Sequence, residues 1–285
     1  MNKIRLGSIE FINSLPVDLG LLRGTIPSEA EIIQGSPAAL NEKMLSGDLD
    51  LGPISVFWYA QHQEEWLLLP ELSISSESGV QSVLLFSRHP FAELKGKRIA
   101  LTGKGRTTPA LLSILCQRKY GFMPVLVPTE EGRGDVLNGA DAVLLIGDEA
   151  LEAREKYSDS KFQVIDLAEE WRDWTGEPVV FAVWAVRRAS WNLSAEKVLE
   201  VHQQLLKSKE WGAQHPAEVL NAAEKKTHLP LPVLKAYFSR LSYGFDKKMQ
   251  AGMKRYLDEA VRCGLLQPAK PFEFITDGSA ALTAR

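Results

Sequence analysis

Apolar positions along the first third of the chain alternate between short continuous runs and helical stripes. Residues 4–7, 29–34 and 49–53 read as strands, because brief apolar runs bounded by turn residues suit buried β structure. Between them the spacing changes. A helix is predicted from about Pro16, and another over residues 36–45, where Leu40, Met44 and Leu45 form one apolar stripe. Ser36 can cap that second helix, Pro37 suits its first position, where a missing N–H costs nothing, and Gly47 can close it. Strands alternating with helices predict βαβ units and an α/β fold.

Farther on, two longer β-rich runs at 81–87 and 179–186 bracket a segment with its own alternation: strand at 98–101, helix at 109–120, strands at 125–127 and 142–146. This order predicts one α/β lobe inserted into another, with residues 1–86 and 182–285 in the first lobe and 87–181 in the second. Beyond Ser190, helices are predicted at 195–209, 216–224, 230–240 and 247–263, their apolar faces packed on the first lobe and their charges solvated.

The chain has 285 residues, more than one core usually serves, which agrees with two lobes. With 45% hydrophobic and 24% charged residues it has the material for packed cores. A net charge of −3 without any basic tract gives no general attraction to phosphate backbones, so nucleic acid is not an expected partner. Cys116 and Cys263 stand far apart with no neighbouring ligand residues, and the five histidines follow no metal-ligand spacing, so neither a metal nor a disulfide is expected. The start of the chain lacks a secretory apolar core and no run reaches membrane-spanning length, which predicts a cytoplasmic protein without a membrane partner. Nothing in the sequence speaks to oligomeric state.

Candidate chemistry collects where strands end, since open α/β sheets bind ligands at the carboxyl ends of their strands. The first elbow, residues 8–16, offers the amide of Asn13 and the hydroxyl of Ser14 beside a helix start. Both also suit plain helix capping, and the elbow alone leaves the two readings level. Ser55 follows the third strand in the same way. Thr107 and Thr108 follow a glycine-containing loop, with Thr108 expected as cap and Pro109 at the first helical position, which makes a cradle for a carboxylate. Gly147 and Asp148 repeat the theme, with Asp148 either facing a cleft or stabilising a first helical turn. Neither Gly-x-x-x-x-Gly-Lys-Ser/Thr nor Gly-x-Gly-x-x-Gly is present at these loops, so a nucleotide is not predicted.

The segments Phe11-Ile12-Asn13-Ser14-Leu15-Pro16, Asp50-Leu51-Gly52-Pro53-Ile54-Ser55, Leu72-Ser73-Ile74-Ser75-Ser76, Ser82-Val83-Leu84-Leu85-Phe86-Ser87, Leu145-Ile146-Gly147-Asp148-Glu149-Ala150 and Phe181-Ala182-Val183-Trp184-Ala185-Val186-Arg187 together resemble the chorismate dehydratases of the futalosine route to menaquinone. The resemblance spans roughly the first two thirds of the chain, with Glu10 replacing an aromatic residue and Gly103-Lys104-Gly105-Arg106 more basic than the family pattern. It implies a two-lobed fold similar to periplasmic binding proteins of the second type, with a central cleft. It also implies a carbon–oxygen lyase that converts chorismate to 3-[(1-carboxyvinyl)oxy]benzoate and water without a cofactor. On that expectation Asn13 orients the substrate, and Asp148 or the substrate's own enolpyruvyl carboxylate takes the proton. Ser14, Ser55, Ser75, Ser82, Thr107, Thr108 and Gly147 bind the dianion. Three alternatives remain, the third a ligand-sensing regulatory module, disfavoured because no DNA-binding helix-turn-helix is read ahead of the lobes. A 1,4-dihydroxy-6-naphthoate synthase would bring a Cys-Pro-Asn-Asp-like elbow and a cleft histidine, and a small-anion solute-binding protein would need export.

Overall fold

The computed structural model describes residues 3–102, 105–128, 137, 139–157 and 161–276. In chain order it opens with β1 (Arg5–Ile9), α1 (Leu15–Leu22), β2 (Glu31–Gly35), α2 (Pro37–Ser46), β3 (Leu51–Ser55), α3 (Val56–Gln61) and β4 (Trp66–Ser76). A second series follows: β5 (Val83–Ser87), β6 (Arg98–Leu101), α4 (Thr107–Ile114), β7 (Val125–Pro128), β8 (Ala142–Ile146), α5 (Asp148–Lys156), β9 (Gln163–Asp166) and α6 (Leu167–Thr175). The chain returns through β10 (Val179–Arg187) and ends in α7 (Arg188–Gln214), α8 (Pro216–Thr227), α9 (Leu231–Phe238) and α10 (Lys247–Arg262).

Among the described residues two five-stranded sheets form, ordered β2-β1-β3-β10-β4 and β7-β6-β8-β5-β9. The two orders are the same pattern. In each, two parallel pairings at one side meet a strand that runs antiparallel, β10 against β3 and β5 against β8. That pattern aims the carboxyl ends of β1 and β3 and those of β6 and β8 at a common cleft. Crossings between the sheets occupy residues 77–82 and 167–178.

The division of strands differs from the sequence expectation at both crossings. Residues 83–86, expected in the first lobe, ladder with β8 and β9 in the second sheet. Residues 179–181, expected in the second lobe, belong to β10, which pairs from Val179 with Ser76 in the first sheet. A doubly buried run such as Val-Leu-Leu-Phe-Ser suits either sheet, so its composition does not say which neighbour it takes.

Strand alternation divides the core. Leu84 and Phe86 pack with Val143 and Leu145 on one face of the second sheet, whereas Leu85 and Leu144 join a larger core continuous with the first lobe. That larger core holds the fully buried Trp66, Trp171, Trp184, Tyr237 and Tyr256. The predicted helix at 36–45 forms with the caps argued for it: Ser36 Oγ accepts the Ala39 N–H, and Gly47 closes the end at φ +88°; of its expected apolar stripe Leu40 and Met44 are buried, whereas Leu45 is exposed. The helix expected at 195–209 is the second half of α7, which kinks at Ser194. Among the described residues no helix is long and apolar enough to cross a membrane.

Candidate active site

A cavity of ≈ 100 Å³ lies between the sheets, lined at the carboxyl ends of β1, β3, β6 and β8. Its walls are mostly apolar, with Ile9, Phe11, Ile74 and Phe181 on the first-lobe side and Val83 and Ile146 on the second. The polar lining is sparse and comes from both lobes: Asn13, Ser55, Ser82, Arg106, Thr107 and Thr108. Such a site suits a small ligand held by a few directed contacts.

Asn13 sits in a 3₁₀ turn, Ile12–Ser14, and caps nothing there. Its Oδ1 is buried and lacks a hydrogen-bond partner among the described residues. A buried amide oxygen without a donor costs desolvation free energy, so this atom calls for an O–H or N–H from outside the chain. The hydroxyls have the opposite need. Ser55 Oγ already accepts from Trp58 N–H and Asn41 Nδ2, both at 3.4 Å, so its own proton is what it has left to give. Ser82 Oγ accepts from the buried Tyr237 hydroxyl at 3.3 Å and is in the same position.

The second lobe contributes the cradle, with a shift of two residues. α4 begins at Thr107 with Arg106 as its cap residue and no side-chain cap bond, rather than at Pro109 behind Thr108. Proline is tolerated one turn in because the first N–H groups of a helix have no intrahelical acceptor anyway. The buried Thr107 and Thr108 therefore stand inside the first turn, at the positive end of the helix. Among the described residues Arg106 is the charged side chain of the lining, its guanidinium carbon 5.5 Å from the centroid of the Trp58 ring. Gly103 and Lys104, which the sequence reading singled out in the same loop, lie outside the described residues. Arg106 is the residue that sequence reasoning passed over as a ligand group, although the basic character of its loop was the available signal.

Three expected site residues lie elsewhere. Ser14 is 1% exposed and its Oγ is committed to the carbonyls of Ile9 (2.8 Å) and Phe11 (3.2 Å), so it braces the elbow from behind. Ser75 shares a hydrogen bond with Ser73 and donates to the Ser242 carbonyl. Side chains alternate along a strand, and Ile74 takes the cavity face, which sends both serines to the other side. Asp148 is not part of the lining. Its Oδ1 accepts the Ile12 N–H at 3.0 Å and its Oδ2 lies 3.8 Å from Lys226 Nζ. Burial raises its pKa, opposed by the Ile12 hydrogen bond and by Lys226. Asp148 is thus a latch between the lobes. Gly147, beside it, does line the cavity.

Further contacts hold the lobes together on the opposite side. Thr107 Oγ1 accepts the Phe57 N–H of α3 at 3.1 Å, Tyr256 of α10 donates to the Thr107 carbonyl at 2.9 Å, and Arg118 meets the buried Glu259 at 2.9 Å. The cavity therefore sits between a broad seam at α4–α10 and the narrow latch at Asp148.

Residues 4–262 match the family described as menaquinone biosynthesis. The chain belongs to that family. A relative in Thermus thermophilus named chorismate dehydratase is 30% identical over 240 residues, covering 80% of this chain and 85% of that protein. The 1,4-dihydroxy-6-naphthoate synthase of the same organism is 26% identical over 276 residues, covering 94% and 98%. A Candida albicans protein described as having the generic periplasmic binding protein fold superposes with a TM-score of 0.68 at 13% identity, covering 98% of this chain and 100% of that one. The fold is periplasmic-binding-protein-like, and the cavity of this menaquinone-biosynthesis family member lies in the cleft between its two sheets. Its lining contains neither cysteine nor histidine among the described residues.

Proposed function

We propose that the cavity dehydrates chorismate to 3-[(1-carboxyvinyl)oxy]benzoate, making the protein a hydro-lyase of menaquinone biosynthesis. The observation that carries this reading is the match between unmet polar needs and substrate groups. Asn13 Oδ1 lacks a donor, and chorismate has one ring hydroxyl to offer. Ser55, Ser82, the first turn of α4 and Arg106 all require acceptors, and chorismate has two carboxylates.

The reaction removes the C3 proton and the C4 hydroxyl as water, and the ring becomes aromatic. Aromatisation supplies the driving force, so the protein's task is to orient the leaving hydroxyl, hold both carboxylates and exclude bulk water. Asn13 holds the C4 hydroxyl through its amide. Asp148 is engaged by Ile12 and Lys226, so the substrate's own enolpyruvyl carboxylate takes the C3 proton and passes it to the departing C4 hydroxyl, which leaves as water. The naphthoate synthase reading lacks the cysteine elbow and the cleft histidine that the sequence comparison required for it. The solute-binding reading predicts binding without turnover. Incubating the purified protein with chorismate and following the mass of the small molecule separates these outcomes: loss of one water supports the lyase, and recovery of unchanged, bound chorismate overturns it.

Arg106→Met removes the cavity's charged donor while keeping a long stem to lie on Trp58. A charge-assisted hydrogen bond contributes about 1.5–3 kcal/mol, so KM for chorismate is expected to rise about 10- to 100-fold with the melting temperature nearly unchanged. An unaltered KM removes Arg106 from carboxylate recognition.

A further inference from the structure

Asp166 stands where the two crossings between the sheets meet. It ends β9, opposite Leu84 of β5, and opens the second crossing as the cap residue of α6. Its carboxyl is buried, and each oxygen accepts a backbone N–H. Oδ1 takes that of Ala168 at 2.9 Å, an ordinary helix cap. Oδ2 takes that of Gln81 at 2.6 Å, 85 positions away in the first crossing.

A cap needs only the first of these bonds. The second falls on a residue under strain, for Gln81 lies at φ +61°, in the left-handed region that residues with a Cβ rarely adopt. Such a conformation persists only where its surroundings enforce it, and a hydrogen bond to a buried carboxyl, shielded from water, can do so. The residue that follows is Ser82. Its Oγ accepts from Tyr237 at 3.3 Å at the cavity wall, while its carbonyl accepts the Gly147 N–H at 2.8 Å. Relaxation of Gln81 to negative φ would redirect the chain at this point and take Ser82 away from both partners.

We propose that Asp166 is a positioning residue for the cavity: it holds Gln81 in the left-handed conformation and thereby aims the Ser82 hydroxyl at the bound carboxylate. Its other oxygen ties the same carboxyl to α6, so both crossings are pinned at one point and Ser82 keeps its place relative to each lobe.

Asp166→Ser separates the two bonds. Serine caps a helix as well as aspartate does, but its single oxygen leaves the Gln81 N–H without its acceptor. KM for chorismate should rise about tenfold or more, the loss of one hydrogen bond to a charged group, with kcat changing less. Gln81→Val reaches the turn from the other side, since a β-branched residue resists positive φ; it should raise KM similarly without touching Asp166, and it carries the test if Asp166→Ser does not fold. Adding Gln81→Gly to Asp166→Ser should restore much of the lost affinity, measured relative to Gln81→Gly alone, because glycine accepts the left-handed conformation unaided. On a Ser82→Ala background neither Asp166→Ser nor Gln81→Val should raise KM further by more than about twofold. A purely structural Asp166 would raise KM equally with or without the Ser82 hydroxyl. That additivity, or an unchanged KM, overturns the proposal.

Amide hydrogen exchange at Gly147 in protein without substrate supplies the second readout, because this N–H reports whether the Ser82 carbonyl stays in place. Exchange should speed about tenfold or more in Asp166→Ser and slow again when Gln81→Gly is added. An unchanged rate in Asp166→Ser also overturns the proposal. The kinetic readout rests on the chorismate reading; the exchange readout does not. The expected exchange in a protein that neither binds nor turns over chorismate would therefore sink the substrate assignment and keep the role of Asp166.

Discussion

Asn13→Ala is expected to lower kcat on chorismate by about a hundredfold or more, since misplacing a reacting group by about 1 Å already costs that much. Stability should move the other way or not at all. The Asn13 oxygen is buried without a partner among the described residues and the side chain caps no helix, so its removal relieves a desolvation penalty of about 1–3 kcal/mol instead of breaking a native bond. A helix-capping asparagine would behave oppositely, losing about 0.5–2 kcal/mol of stability with the rate of the folded enzyme intact. Asn13→Asp sharpens the test, because it is nearly isosteric yet sets a carboxylate beside a dianionic substrate; KM should rise along with the fall in kcat. Urea denaturation and steady-state kinetics on both variants decide the matter. Near-wild-type turnover in the two together takes Asn13 out of the site.

The parts of this site that could be read from the sequence are those whose signals are local. A strand ending in Ser55 before an aromatic helix start, a capped helix at Ser36 and Pro37, and an amide at the first elbow all reside in stretches of a few residues, and the structure places Ser55 and Asn13 in the cavity. What escaped depends on partners far away in the chain. Asp148 reads as a cleft acid until the Ile12 N–H, 136 positions earlier, is seen to occupy it. Ser75 reads as a ligand until the register of β4 puts Ile74 on the cavity side and Ser75 against the Ser242 carbonyl. The short, polar strand β9 carries little apolar signal, its exposed Gln163 and Val164 lying at a sheet edge, and it was legible only after pairing with β5. The α4 start was displaced for a different reason: Pro109 suits any of the first helical positions, so it marks the first turn without fixing which residue opens it.

Gly147 carries the second large effect, because two separate constraints meet at one hydrogen atom. Its backbone lies at φ +65°, ψ −142°, a region that costs a residue with a Cβ about 1–3 kcal/mol. A Cβ there would also stand 2.9 Å from two carbons of the Phe11 ring, across the cleft. Phe11 cannot yield without disturbing its neighbour Ile12, whose N–H is held by Asp148, so Gly147→Ala should prise open the latch between the lobes. The expected result is a folded protein destabilised by about 1–3 kcal/mol, with kcat/KM for chorismate down by about a hundredfold as the donors of the two lobes separate. Phe11→Leu distinguishes strain from clash. Because it removes the ring that the new methyl group meets, the double variant should recover much of the kcat/KM lost in Gly147→Ala, measured relative to Phe11→Leu alone, while the stability deficit of the strained backbone persists. Such a cycle yields a coupling only if the two side chains oppose each other in the closed state. Additive losses in kcat/KM would mean that Gly147 acts through its backbone alone, and that the contact with Phe11 does not set how far the lobes close.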